Sequence, residues 1–193
     1  MKRRVFLCAL AGAVWMAATA ATATNAVAQV PVATTVIVVR HAEKALEPAK
    51  DPPLTAAGQA RARALAQALK DAGVSAIITT QFARTKETAA PTAEMLGIKP
   101  EIVRAGSGPE ADHATAVATA VMQHAGGVVL VVGHSNTVPD IVAALGAKRP
   151  PEICDAEYDR MEIVTIAWGG KATVVTARYG APTVERGKCE AMK

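Results

Sequence analysis

The chain has little with which to hold a metal or a nucleotide. Its three cysteines and four histidines are scattered, with no His-Glu-x-x-His run and no Cys/His cluster, so the usual ligand spacings of a metalloenzyme are missing. No Walker sequence occurs, and Gly106-Ser107-Gly108 is an isolated pair of glycines after no clear strand, which serves nucleotide binding poorly. Surplus charge is missing too. The whole chain carries 21 Lys and Arg against 17 Asp and Glu, but three of the basic residues are Lys2, Arg3 and Arg4. Without those three the balance is 18 to 17, and a nucleic-acid partner loses its support. Aromatic residues make up 3% of the chain, and alanine supplies much of its 51% hydrophobic share. No internal repeat, low-complexity linker or second domain is visible.

What is present begins with a leader. Lys2-Arg3-Arg4 precedes an apolar run from Val5 to about Ala18, which breaks up into Thr, Ala and Asn and ends in Ala26-Val27-Ala28. This reads as a secretory signal peptide over residues 1–28, cut before Gln29. Residues 29–193 are then a single domain, long enough for one core, with no integral membrane segment and a periplasmic or secreted destination. Cys154 and Cys189 survive the cut. An oxidising destination permits a bridge between them, worth roughly 3–4 kcal/mol in the loop-closure model, and two free thiols are the alternative.

The domain reads as alternating strands and helices. Val36–Val39, four β-branched residues in a row, form a strand buried on both faces. Thr55 caps a helix over 56–72 whose apolar stripe is Ala62, Leu65, Leu69 and Ala72, with Gly73 as its C′ residue. Further strands are expected at 74–79, near 101–103 and at 128–132. Helices are expected at 83–96, kinked or restarted at Pro91, at 111–125, and from Asn136 or Thr137 to about Leu145. Segments 162–167 and 172–178 flank Gly169-Gly170 as a hairpin. The sum is an α/β fold: three layers, helix/sheet/helix, with a mostly parallel central sheet and a C-terminal hairpin.

The chemistry gathers where the strands stop. Val36–Val39 runs into Arg40, His41, Glu43 and Lys44; the strand at 74–79 is followed by Arg84; the strand at 128–132 ends in Gly133-His134-Ser135-Asn136. The carboxyl edge of a parallel sheet is where ligands bind, and ionisable groups there need partners or a task. Two imidazoles and two guanidiniums at one edge suit phosphoryl transfer. A neutral imidazole attacks phosphorus, and arginine forks bind phosphate oxygens and spread transition-state charge. Arginines nearby also disfavour imidazolium and keep the attacking nitrogen free. A helix start at Arg84 adds backbone N–H groups facing an anion.

Taken together, Arg40-His41-Ala42-Glu43, Arg84-Thr85-x-x-Thr88-Ala89 and Gly133-His134-Ser135 resemble the histidine phosphatase superfamily in its phosphoglycerate-mutase-like branch. The resemblance runs from about Thr35 to Leu145. It implies that His41 is the phosphorylated nucleophile, that Arg40 and Arg84 clamp the phosphate, and that His134 stabilises the transferring group. A carboxylic acid then protonates the leaving oxygen and later takes a proton from water.

The sequence departs from the mutases in three places. Ala42 follows the nucleophile where glycine is common, Lys44 replaces a small residue, and the long insertion that carries the mutases' acid and substrate cap is missing. Asp112 and Glu110 rank equally as the acid, with Glu43 behind them. Glu43, Lys44, Ser135 and Asn136 are candidates for touching substrate, although capping explains Ser135 and Asn136 equally well. His113, beside Asp112, has two readings, an approach to the pocket mouth and the favoured solvated helix position; His124 is expected near a helix C-terminus. No cofactor or metal is implied.

The expected activity is an exported phosphatase acting on phosphorylated small molecules through a phosphohistidine. The alternative is a non-catalytic phosphate-binding or envelope-modifying accessory protein of the same fold. A serine hydrolase centred on Ser135 fits poorly, because the second glycine of a nucleophile elbow is absent. Oligomeric state and natural substrate are not legible.

Overall fold

The computed structural model describes residues 32–106 and 110–183; the expected leader (1–28) and Cys189 lie outside them. The elements follow the order β1 (Thr34–Arg40), α1 (Ala56–Leu69), β2 (Val74–Thr79), α2 (Ala83–Leu96), β3 (Glu101–Ile102), α3 (Glu110–Met122), β4 (Val128–Gly133), α4 (Val138–Ala144), β5 (Arg160–Ile166) and β6 (Ala172–Arg178). They build a six-stranded sheet in the order β3-β2-β4-β1-β5-β6. β1, β2, β3 and β4 pair in parallel, while β5 joins β1 and β6 joins β5 antiparallel. This is the expected three-layer α/β fold with its terminal hairpin.

The apolar strand runs explain the layering. Along β1, Val36 and Val38 point into one core with Val117, Val121, Ile141 and Val142 of α3 and α4. Ile37 and Val39 point into the other, with Leu65 and Leu69 of α1 and Ala89 and Ala93 of α2. Period-two alternation with both faces covered demands an uninterrupted β-branched run. Each fully buried Val or Ile side chain contributes about 1.5–3 kcal/mol relative to exposure. β4 repeats the arrangement, Val129 and Val131 on one side and Leu130 and Val132 on the other.

Local signals set most element ends. Thr55 Oγ1 accepts from the Gly58 N–H as the α1 cap, and Gly97, in the left-handed region at φ +66°, closes α2. The β5–β6 turn places Gly169 and Gly170 at positive φ. At Pro91 the helix does not restart. α2 runs through Pro91 without a break: Thr85, Thr88 and Ala89 before the proline and Thr92 and Ala93 after it are all buried, so packing on both sides holds a helix that local propensity would interrupt.

The hairpin does more than widen the sheet. On β5, Arg160 Nε donates to Glu162 Oε1 at 2.6 Å, and Thr176 Oγ1 of β6 donates to Glu162 Oε2 at 2.7 Å, so the fully buried Glu162 carboxylate is satisfied on both oxygens. Arg160 also donates to the Pro151 and Glu152 carbonyls. The loop 151–157 is thereby moored to the sheet next to β1. Cys154, within that loop, is disulfide-bonded; Cys189, the partner that the sequence offers, lies outside the described residues.

Candidate active site

Strand register brings the three chain segments to one edge. Arg40 is opposite Gly133, and Thr79 is opposite Val132. His41 and His134 therefore leave their strands at the same level, with the His41 N–H bonded to the Gly133 carbonyl at 2.9 Å. Their rings stand edge to face, centroids 5.4 Å apart.

His41 is 4% exposed. Its Nδ1 lies 2.8 Å from the Ala42 carbonyl oxygen, which can only accept, so Nδ1 carries the proton and Nε2 the lone pair. Burial lowers its pKa to about 3; the hydrogen bond to Ala42 opposes this, and Arg40, Arg84 and Lys44 reinforce it. His134 is lowered to about 3 as well, first by burial and then by the charges of His41, Arg84, His113 and Arg40. Both imidazoles are neutral at physiological pH. Thr80 Oγ1 sits 3.2 Å from His134 Nε2 and 2.9 Å from Thr85 Oγ1, and the Phe82 ring meets His134 edge-on.

Arg40 is held more firmly than its motif implies. Its Nη1 donates to the carbonyls of Cys154, Asp155 and Glu157 at 2.8, 2.8 and 3.1 Å, and the Tyr158 ring covers the guanidinium at 4.1 Å. Its Nε is buried without a partner. Arg84 lies over the Phe82 ring at 4.2 Å, with Asp51 Oδ1 3.9 Å from Nη1, and its Nε is likewise buried and unpartnered. The charges of both guanidiniums reach both imidazoles, and each orphaned Nε–H donor costs about 1–3 kcal/mol while it lacks an acceptor. The helix start is less open than expected: the Ala83 N–H donates to Asp51 Oδ1 at 2.8 Å, which occupies the first amide of α2.

The remaining candidates separate. Both carboxylate oxygens of Glu43 accept from Arg61, at 2.8–3.0 Å, which makes Glu43 an anchor of the nucleophile segment to α1. Lys44 is exposed but adds positive potential at His41. Ser135 is half-buried and Asn136 exposed in the turn before α4; Thr137 is the N-cap residue, its Oγ1 accepting from the His134 N–H at 3.0 Å. Asp112 is exposed, and the Glu110 side chain lies outside the described residues. His113, expected in solvent, is buried at 8% exposure.

Sequence reasoning missed Asp51, Arg61, Tyr158 and the burial of His113. For His113 a signal existed: it falls on the same helical stripe as Val117, Ala120 and Val121, all buried, at spacings of four, seven and eight. Asp51, Arg61 and Tyr158 carry no such local mark. No group of three or more His, Cys, Asp or Glu gathers as a metal site among the described residues, and none of their helices is long and apolar enough to cross a membrane.

A buried histidine and its arginines stand at the carboxyl edge of a parallel sheet, and comparison shows what this arrangement is similar to. The model of the histidine phosphatase superfamily (branch 1) matches residues 36–105, and the fold is that of solved histidine phosphatases. Among similar structures, the protein histidine phosphatase SixA complexed with tungstate shares 21% identity, covering 75% of this chain and 96% of its own, at TM-score 0.59. The mycobacterial glucosyl-3-phosphoglycerate phosphatase shares 15% identity over 77% and 99%, TM-score 0.58. Bacillus stearothermophilus YhfR shares 22% over 74% and 95%, TM-score 0.57. No curated protein sequence matches the chain.

Proposed function

We propose that the chain is an exported phosphatase that hydrolyses phosphorylated small molecules through a phosphohistidine on His41. The observation that carries this is the state of the His41 ring. Its Nδ1 proton is committed to the Ala42 carbonyl, burial keeps it neutral, and its Nε2 lone pair is left for phosphorus. The kinship with phosphatases supports the reaction class.

In the first half-reaction Nε2 bonds to phosphorus and the ester P–O bond breaks. In the second, water attacks and the P–N bond breaks, releasing inorganic phosphate. The unpartnered Nε–H donors of Arg40 and Arg84 hold the phosphoryl oxygens, and charge building on those oxygens strengthens both bonds. His134, oriented by Thr80, stabilises the same group. The leader carries the export reading, with a periplasmic or secreted location. The missing insertion, which carries the substrate cap of the mutases, favours a broad range of small phosphomonoesters.

The test uses the mature protein and p-nitrophenyl phosphate with chelator present. Turnover is expected, together with an acid-labile phosphoprotein and loss of both in His41→Ala. Arg84→Ala is expected to weaken vanadate binding and turnover about ten- to hundredfold, from the loss of one charge-assisted hydrogen bond. Vanadate binding without turnover would instead identify the phosphate-binding accessory protein. Full activity in His41→Ala would remove the phosphohistidine.

A further inference from the structure

The described residues leave one chemically able group near the pocket without a task. His113 lies in the first turn of α3. It is buried. Its Nδ1 lies 3.2 Å from the Arg104 carbonyl oxygen, so that nitrogen donates and Nε2 is the exchangeable position. Nε2 is buried and has no hydrogen-bond partner. The ring is close enough to His134 for its charge to depress the His134 pKa.

The mounting is specific. Gln81, between β2 and Arg84, clamps the backbone that holds His113: its Nε2 donates to the Ala105 carbonyl at 2.8 Å and its Oε1 accepts from the Ala105 N–H at 2.9 Å. The Val103 N–H is tied to the Thr79 carbonyl at 2.9 Å. One short stretch, 79–84, therefore positions His134 through Thr80, carries Arg84, and fixes the carbonyl that orients His113. A buried ring with an unpartnered nitrogen is costly to keep unless something arrives to use it. The carboxylate beside it, Asp112, is exposed.

We propose that His113 is the general acid and base of the reaction, donating the Nε2 proton to the leaving-group oxygen and then accepting one from the attacking water. The inference rests on the phosphatase reading above. The step balances. As Nε2 of His41 bonds to phosphorus and the ester P–O bond breaks, the departing oxygen takes the His113 proton and leaves as the alcohol. Water then gives its proton back to His113 as its oxygen bonds to phosphorus and the P–N bond breaks. The cycle closes on one alcohol, one phosphate and a protonated His113. Burial lowers the pKa of this ring; as the phosphate dianion arrives, its charge stabilises the imidazolium, Nε2 takes up a proton from solvent, and that proton returns to solvent when phosphate leaves.

The experiment compares wild type, His113→Gln and Glu110→Gln across a leaving-group series from p-nitrophenyl phosphate, whose phenolate departs unaided, to phenyl and alkyl phosphates, which need the proton. A positioned acid contributes about 10²-fold or more. His113→Gln is expected to lose at least that on alkyl phosphates and at least tenfold less on the nitrophenyl ester. Equal losses across the series would reduce His113 to a packing role. A leaving-group-dependent loss confined to Glu110→Gln would transfer the proton to the carboxylate. Should His113→Gln fail to fold, nitrogen-15 histidine spectra of the wild-type protein decide: His113 is expected to pass from the neutral Nδ1–H form to imidazolium when vanadate binds, and a ring that stays neutral overturns the proposal. Wild-type turnover that His41→Ala abolishes must be in hand first. Its absence sinks the phosphatase reading, whereas its presence with a flat series sinks His113 alone.

Discussion

Acid should unfold this protein through its two site imidazoles. His41 and His134 have folded-state pKa values near 3, against about 6.5 in an unfolded chain. Between those limits the unfolded chain binds protons that the native state refuses, so stability rises with pH across the window and falls as pH drops below about 6.5. At pH 5 one such histidine costs roughly 2 kcal/mol by linkage. The two rings share neighbours and influence each other, so about 2–4 kcal/mol together is the figure to test. For a domain of this size that lowers Tm by roughly 5–15 °C. The assay is thermal or urea unfolding of residues 29–193 at pH 7.5 and pH 5 in phosphate-free buffer, beside the double variant His41→Asn/His134→Asn. Asparagine keeps a polar group at each position but cannot titrate. Other ionisable groups are common to both proteins, so the difference between their pH dependences isolates the pair. Parallel curves for wild type and variant would refute the claim that these rings are buried neutral.

Three further substitutions probe the supports of the site. Arg61→Ala strips the Glu43 carboxylate of its bidentate partner and frees the carbonyls of Tyr179 and Ala181; with Glu43 about a fifth exposed, the expected loss is about 2–4 kcal/mol in urea unfolding, and a loss below 1 kcal/mol would contradict the anchoring role. Gly58→Ala drives a Cβ into the Glu43 carbonyl, where backbone cannot yield, and should cost about 2 kcal/mol and slow turnover by moving the nucleophile segment; a fully stable variant would show that α1 can retreat. Thr80→Val keeps the volume but removes the hydroxyl beside His134, so kcat should fall about three- to tenfold with vanadate affinity less affected, as expected for one neutral hydrogen bond.

Much of the fold was legible because its causes are local. Four consecutive β-branched residues buried on two faces mark a central parallel strand wherever they occur, and Thr55 and Gly97 act on amides and carbonyls within a few positions of themselves. The site's outline was legible for a related reason: parallel strands must end on one edge, so Arg40-His41, Arg84 and His134 converge once the strand order is known. Pro91 does not restart its helix because packing against buried neighbours on both sides outweighs a local preference.

By itself, then, the chain's order of residues determined the layers, the parallel sheet and the edge where histidines and arginines meet, since these follow from periodicity and caps. Tertiary structure alone decided what each charged group does there. Arg40 finds its carbonyls 114 to 117 residues away, Glu43 turns to Arg61 on a neighbouring helix, and His113 rather than Asp112 faces inward. Such choices depend on which buried donor can be satisfied at a given point in space, and no short stretch of sequence contains both members of the pair.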